Sequence, residues 1–191
     1  MDSSQTPRCG TGSGFFCTIT PVRAASGFTA AQVSAGNTHT CAVTSAGQAW
    51  CWGSNDYGAL GNSASLGGRI PVPVTGTQVW TALSAGADHT CALDDGGAAW
   101  CWGVNAYGQL GVATVSEACP AFGSAQLCRT SPIAVNSALD FAQISAGSSH
   151  TCALTTDGEI WCWGRGTEGQ LGNGGWLSSS APVHVAAPGA L

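Results

Sequence analysis

The 191-residue sequence predicts an all-β chain of stacked, four-stranded antiparallel units, on three observations. The first is a segment written three times: AGNTHTCAVTSAGQAWCWGSNDYGALG around His39, AGADHTCALDDGGAAWCWGVNAYGQLG around His89 and AGSSHTCALTTDGEIWCWGRGTEGQLG around His150. The second is a fixed period. The histidines step by 50 and 61 residues, and the prolines at 21, 71, 132 and 182 step by 50, 61 and 50. The third is punctuation: short apolar runs alternate with Gly, Asn, Asp and Ser, a hairpin-rich pattern. Such a unit cannot bury its apolar face alone, so the copies must stack.

Each period holds four strand-like segments. One starts at the proline (71–74, 182–185). A second runs into the Ala-Gly pair (80–83, 141–144). The third is His-Thr-Cys-Ala-Leu/Val and the fourth is Trp-Cys-Trp. Four short strands in about 50 residues is the size of one β-propeller blade. The third and fourth can be set in register by placing a three-residue loop at Thr156-Asp157-Gly158, where the glycine supplies a left-handed residue. Cys152 then faces Cys162, Ala153 faces Trp161 and Leu154 faces Ile160. The other copies put Cys41 opposite Cys51, Ala42 opposite Trp50, Cys91 opposite Cys101 and Ala92 opposite Trp100. Small Ala beside large Trp suits a face that packs on the next blade.

Counted from the prolines, 1–20 is the end of a preceding blade with a Cys loop, 21–70 is repeat 1 and 71–131 is repeat 2 with an insert at 112–130. Repeat 3 is 132–181, and 182–191 starts a further repeat. Three complete repeats with partial blades at both ends do not close a ring. The expectation is a piece of a larger propeller. Two other arrangements would also complete one: association of two chains, or a fourth blade made by the two ends together.

The ten cysteines pair locally: Cys9–Cys17, Cys41–Cys51, Cys91–Cys101, Cys119–Cys128 and Cys152–Cys162. Three pairs are cross-strand neighbours in the register above, close enough for a disulfide. The other two close similar short loops, each with its second Cys four residues before a proline. Full local pairing points to an oxidising compartment. The rival is metal: His39, Cys41 and Cys51 share one face, but a closed zinc site needs a fourth ligand, missing in all three copies.

Composition narrows function. Charged residues are 8% of the chain, net charge is −5 and the five basic residues are scattered arginines, so no phosphate-binding surface is expected. No apolar run is long enough to span a membrane, and no signal peptide is visible at the N-terminus.

The thrice-written segment resembles the repeat of the regulator of chromosome condensation family, over about residues 21–187. The resemblance implies a propeller, commonly of seven four-stranded blades. Arg165-Gly166 departs from the x-Asn of Asn55 and Asn105, and Ala59 stands where Gln109 and Gln170 stand. These changes touch one turn's hydrogen bonds, not the fold.

No Ser-His-Asp, Cys-His or metal motif is found, and a residue repeated in every blade, as the histidines are, reads as structural. The paired Trp of each copy and Trp80 read as core. Loops on a rigid scaffold are where recognition usually lives. The candidate partner-binding residues are Phe15 and Phe16 in the first Cys loop, Phe122 and Leu127 in the second, and Trp176 in a loop with no Trp counterpart. The expected function is a non-catalytic propeller module, secreted or on the cell surface (the periplasm also fits), that binds a protein or surface ligand. It needs no cofactor, inserts in no membrane and can self-associate when isolated. The resemblance supplies one alternative, guanine nucleotide exchange on a small GTPase at chromatin, which the disulfides and the missing basic patch oppose. A lyase or hydrolase on the scaffold is a third.

Overall fold

The computed structural model describes residues 20, 21, 23, 27, 29–64, 66–115, 117–119 and 126–187. The described residues form three antiparallel sheets. The first is β1 (Ala30–Ala35), β2 (His39–Thr44), β3 (Ala49–Gly53) and β4 (Gly68–Pro73), in that spatial order. The second is β5 (Trp80–Ala85), β6 (His89–Asp94), β7 (Ala99–Val104), β9 (Gln126–Ala134) and β8 (Glu117–Cys119). The third is β10 (Phe141–Ala146), β11 (His150–Thr155), β12 (Ile160–Gly164) and β13 (Ser179–His184). The innermost strands β1, β5 and β10 lie side by side, as in neighbouring blades of a propeller.

The central hairpins carry the expected register. Cys41, Cys91 and Cys152 face Cys51, Cys101 and Cys162, and Ala42, Ala92 and Ala153 face Trp50, Trp100 and Trp161. The loop of the third hairpin is closed by Thr155 N donating to Glu159 O at 2.8 Å and Gly158 N donating to Thr155 O at 3.1 Å. Gly47, Gly97 and Gly158 have φ of 75°, 83° and 95°, the left-handed conformation such loops require.

The sheets are out of phase with the repeats counted from the prolines. Each proline strand is the last of its sheet, not the first of the next. The strand of Pro182, counted as opening a further repeat, closes the third sheet. The reason is the missing N–H. In each sheet the register jumps (Cys51↔Val72 to Gly53↔Gly68, Cys101↔Ile133 to Gly103↔Arg129, Cys162↔Val183 to Gly164↔Ser179). Pro71, Pro132 and Pro182 sit inside those bulges, where a ladder donor is not needed.

The insert is not only loop. Its end prolongs β9, and β8 pairs back on it with Glu117 opposite Cys128 and Cys119 opposite Gln126. Leu127 therefore lies on a strand, although half its side chain is exposed. A bridge joins Cys119 to Cys128, and Glu117 accepts from Arg129 at 3.0 Å and from the Thr130 N–H at 3.0 Å.

Apolar burial occurs between sheets. The face of the first sheet carrying Cys41, Val43, Ala49 and Cys51 packs on Trp80, Leu83, Ala92 and Trp102 of the second. The matching face of the second, with Cys91, Leu93, Ala99 and Cys101, packs on Phe141, Ala153 and Trp163 of the third. Each sheet thus has a leading face, with the paired Trp, and a trailing face, with the disulfide and the histidine.

Candidate functional site

The repeated histidines stitch one sheet to the next. His39 Nε2 lies 2.8 Å from Thr90 Oγ1, and His89 Nε2 lies 3.0 Å from Thr151 Oγ1. Thr90 donates its own proton to the carbonyl of Ala59 at 2.9 Å, and Thr151 donates to that of Gln109 at 3.1 Å. A hydroxyl has one proton, so each threonine accepts from its histidine. The proton is therefore on Nε2, and Nδ1 carries the lone pair. The same carbonyls accept the indole N–H of Trp102 at 2.8 Å and of Trp163 at 3.0 Å.

Neither Nδ1 has a hydrogen-bond partner. A Cβ on Gly36 would stand 2.7 Å from the His39 ring, and one on Gly86 would stand 2.6 Å from His89 Nδ1. The Ala-Gly before each histidine is thus a steric requirement. Burial holds His39 down to about 4. It holds His89 down to about 3, with the flanking His39 and His150 adding to the effect. His150 is lowered by burial too. His39 and His89 are neutral joints sealed from solvent, with no access for a substrate.

The bridged cysteines are accounted for in the same region. Disulfides join Cys41–Cys51, Cys91–Cys101 and Cys152–Cys162, with Cα atoms 4.1, 4.1 and 4.0 Å apart. These six cysteines are thus paired with one another, as the register predicts. Cys9 and Cys17, with Phe15, Phe16 and Phe122, lie outside the described residues.

In the second and third Trp pairs, Trp102 and Trp163 are fully buried and Trp100 and Trp161 half-buried, whereas Trp50 and Trp52 of the first pair are both only partly buried. Trp80 is core and sits against Trp102 with ring centroids 5.9 Å apart. Trp176 is 69% exposed. The turns after β3, β7 and β12 show what the departures from the repeat do. Asn55 and Asn105 accept from the N–H of Leu60 and Leu110 at 2.9 and 3.0 Å, a brace that Gly166 does not supply. Gln109 and Gln170 accept from the N–H of Tyr107 and Glu168 at 2.9 and 2.8 Å, which Ala59 cannot do. The carbonyl of Ala59 keeps its place.

Sequence reasoning missed a feature of these turns. The segments joining the third and fourth strands of the sheets all emerge at one end, beside the turns after β1, β5 and β10. Ser54, Val104 and Arg165 donate their N–H groups to Thr38, Asp88 and Ser149 there. That end carries Leu66, Tyr107, Leu127, Trp176 and Leu177, all exposed, Leu66 and Leu177 by 82%. Arg165 lies 5.6 Å from the centre of the Tyr107 ring, linking the turns of the second and third sheets. Asp88 lies at the same end, its carboxyl raised by burial and by Asp56. No group of three or more metal-ligating side chains occurs among the described residues.

Two family models, each described as "Regulator of chromosome condensation (RCC1) repeat", match the chain, one at 30–59, 80–109 and 141–170 and the other at 46–93, 96–154 and 157–190. The chain is 31% identical over 144 residues to the human E3 ubiquitin-protein ligase HERC2, covering 75% of this chain and 3% of HERC2. It is 31% identical over 166 residues to RCC1 domain-containing protein RUG3, mitochondrial, of Arabidopsis thaliana, covering 81% of this chain and 34% of RUG3. Among solved structures it resembles Prp20p of Saccharomyces cerevisiae (TM-score 0.74, 21% identity, 84% of this chain and 39% of that one). It also resembles human WBSCR16 (TM-score 0.75, 22% identity, 88% and 44%). The chain spans a minor part of each of these proteins, and the structural likeness carries the propeller fold. With three repeats matched by the family models, this chain belongs to the regulator of chromosome condensation (RCC1) repeat family.

Proposed function

We propose that this chain is a non-catalytic, disulfide-braced propeller module that works outside the reducing cytoplasm and binds another protein through one end of its sheets. The observation that carries the reading is the cluster of exposed apolar side chains at that end, from Leu66 through Tyr107 and Leu127 to Trp176 and Leu177. Exposed apolar groups gathered on one face mark interaction sites more than scattered ones do. Aromatic anchors such as Trp176 and Tyr107 are the side chains protein interfaces favour. Prp20p is described by its binding to Gsp1p and histones, so a protein partner is in keeping with a related propeller. The extracellular or surface location rests on the bridged cysteines, which persist in oxidising compartments.

The test compares immobilised wild-type chain with a Trp176→Ala, Leu177→Ala variant as bait for proteins of the source cell's surface and medium. A protein retained by the wild type and lost by the variant, with both baits equally folded, supports the reading. Equal retention by both overturns the assignment of this face. Intact mass before and after reductant tests the compartment. Bridges in chain taken directly from its native location raise the mass by about two daltons each on reduction; no change overturns the extracellular placement.

A further inference from the structure

We infer that Asn173 is a site of spontaneous deamidation, a modification that adds a carboxylate close to Trp176 as the molecule ages. The reaction needs an asparagine whose side-chain carbonyl carbon is open to the backbone nitrogen of the next residue. That nitrogen must be free of a hydrogen bond, and the next residue must be small. Of the chain's six asparagines, Asn173 is the one followed by glycine. Gly174 has φ 81° and no Cβ to shield its nitrogen. Asn173 and Gly174 are both exposed. Among the described residues the Gly174 N–H makes no hydrogen bond. The Gly175 N–H donates to Asn173 Oδ1 at 3.1 Å, an Asx turn that folds the carboxamide over the intervening peptide and polarises its carbonyl.

The other asparagines are each protected. Asn55 and Asn105 are buried, with Oδ1 accepting from Leu60 and Leu110 and Nδ2 donating to the carbonyls of Ala64 and Val112. Asn136 precedes Ser137, whose N–H is donated to the Val135 carbonyl at 2.8 Å. Asn37 precedes the β-branched Thr38. Asn62 is the most telling comparison, because it holds the place in the first turn that Asn173 holds in the third. Its Oδ1 accepts from the Ala64 N–H at 3.2 Å, as that of Asn173 does from Gly175, but also from Asn55 Nδ2 at 3.1 Å. Gly166 stands where Asn55 stands, so the third turn lacks that clamp. The Ser63 N–H, in the place of the Gly174 N–H, is donated to the Thr130 carbonyl at 2.9 Å.

The exposure belongs to the turn, whatever packs against the third sheet. Ser63 and Ala64 of the first turn and Ala113 and Thr114 of the second hold the places of Gly174 and Gly175, and all four are exposed although another sheet packs beside them. Among the described residues the Ala113 N–H makes no hydrogen bond either, so a neighbouring sheet does not by itself engage this nitrogen. In the reaction, hydroxide removes the Gly174 amide proton and the nitrogen attacks Cγ of Asn173. The Cγ–Nδ2 bond breaks, and ammonia leaves with a proton from water as a succinimide ring closes. Water then opens the ring at either carbonyl, giving aspartate or isoaspartate at position 173. The net change consumes one water, releases one ammonia and needs no oxidant. It adds a negative charge to the end that carries Trp176 and Leu177. An effect on partner binding rests on the reading of that end given above; the modification itself does not.

Peptide mapping by mass spectrometry tests the inference on the folded, bridged chain after increasing times in buffer. Deamidation raises a peptide's mass by about one dalton. The peptide holding Asn173 is expected to gain it roughly tenfold or more faster than any other asparagine peptide, a barrier difference of about 1.4 kcal/mol. The gain should be faster at about pH 8 than at about pH 5, because a base must take the amide proton first. Gly174→Ser should abolish it, and Ser63, at φ 58°, shows that serine is accepted at this place. Ser63→Gly makes a second Asn-Gly inside an intact clamp, so Asn62 should still convert far more slowly than Asn173. No gain at Asn173, or equal gain at every asparagine, overturns the inference. Equal rates at Asn62 and Asn173 in Ser63→Gly overturn the role of the missing clamp. Aspartate without isoaspartate overturns the cyclic route. For a partner captured by fresh chain, aged wild type should retain less of it than equally aged Gly174→Ser; equal retention overturns the effect on binding and leaves the modification standing.

Discussion

His89 and Thr151 meet at 3.0 Å across 62 residues of sequence, and both side chains are wholly buried. The threonine relays the contact to the Gln109 carbonyl, so removing its hydroxyl strands a buried donor on the histidine. Thr151→Val is expected to cost about 1–3 kcal/mol, the usual consequence of a buried polar group left unpaired. Thr151→Ser keeps the hydroxyl and should lose much less. Urea unfolding of the three proteins checks both statements.

Acid should loosen the same joints. His39 and His89 titrate near 6.5 when unfolded but only near 4 and 3 in the folded chain. As pH falls below 6.5 the unfolded chain takes up protons that the folded chain refuses. The stabilisation is therefore complete above 6.5 and is lost progressively as pH falls towards 4 for His39 and 3 for His89. At pH 5 the loss is about 2 kcal/mol per histidine. Asp88 acts in the opposite sense, since its raised pKa makes protonation a relief. Melting temperatures from pH 7.5 to 4.5 should fall, and fall less steeply in His89→Gln, which keeps a donor but does not titrate.

The two tryptophan environments should separate cleanly. Trp102 is fully buried between the first two sheets, so Trp102→Ala should destabilise by about 3–5 kcal/mol. Trp176→Ala should stay within about 0.5 kcal/mol, as expected of an exposed side chain. Denaturation midpoints measure the contrast, and equal losses would place Trp176 in the core.

Reduction should act on each blade separately. Each hairpin bridge closes a sequence separation of 10 residues, for which chain entropy gives about 2–3 kcal/mol. Replacing Cys91 and Cys101 together by Ala should lower stability by that amount while leaving the other bridges intact by mass.

The hairpin register was legible because independent signals coincide there. Gly158 fixes the loop, Cys152 and Cys162 must face, and Ala153 matches Trp161 in volume. No such redundancy marks the junctions. Sequence spacing places His39 and Cys41 on one face but does not say which element of the next sheet that face meets. Thr90 was visible only as the residue after a histidine. The key acceptor at Ala59 is a backbone carbonyl, which no side chain reveals, and that is why Ala can stand where Gln109 stands without breaking the joint. The apolar end was half legible. Trp176 stood out for lacking counterparts, but Tyr107 and Leu66 lie in repeat turns that gave no hint of shared exposure. The phase of the sheets was hidden because a proline marks a bulge in a closing strand as readily as the start of an opening one.

Those prolines have a last consequence. An open sheet edge invites strand addition, the first step towards fibrils. Pro71 and Pro182 withdraw a donor from the outer strands of the first and third sheets, and the bulges around them break the even spacing an incoming strand would need. In the second sheet β8 covers part of the corresponding strand. The rim is thereby kept from serving as a template for amyloid-like growth, even in a chain 44% of whose residues are hydrophobic.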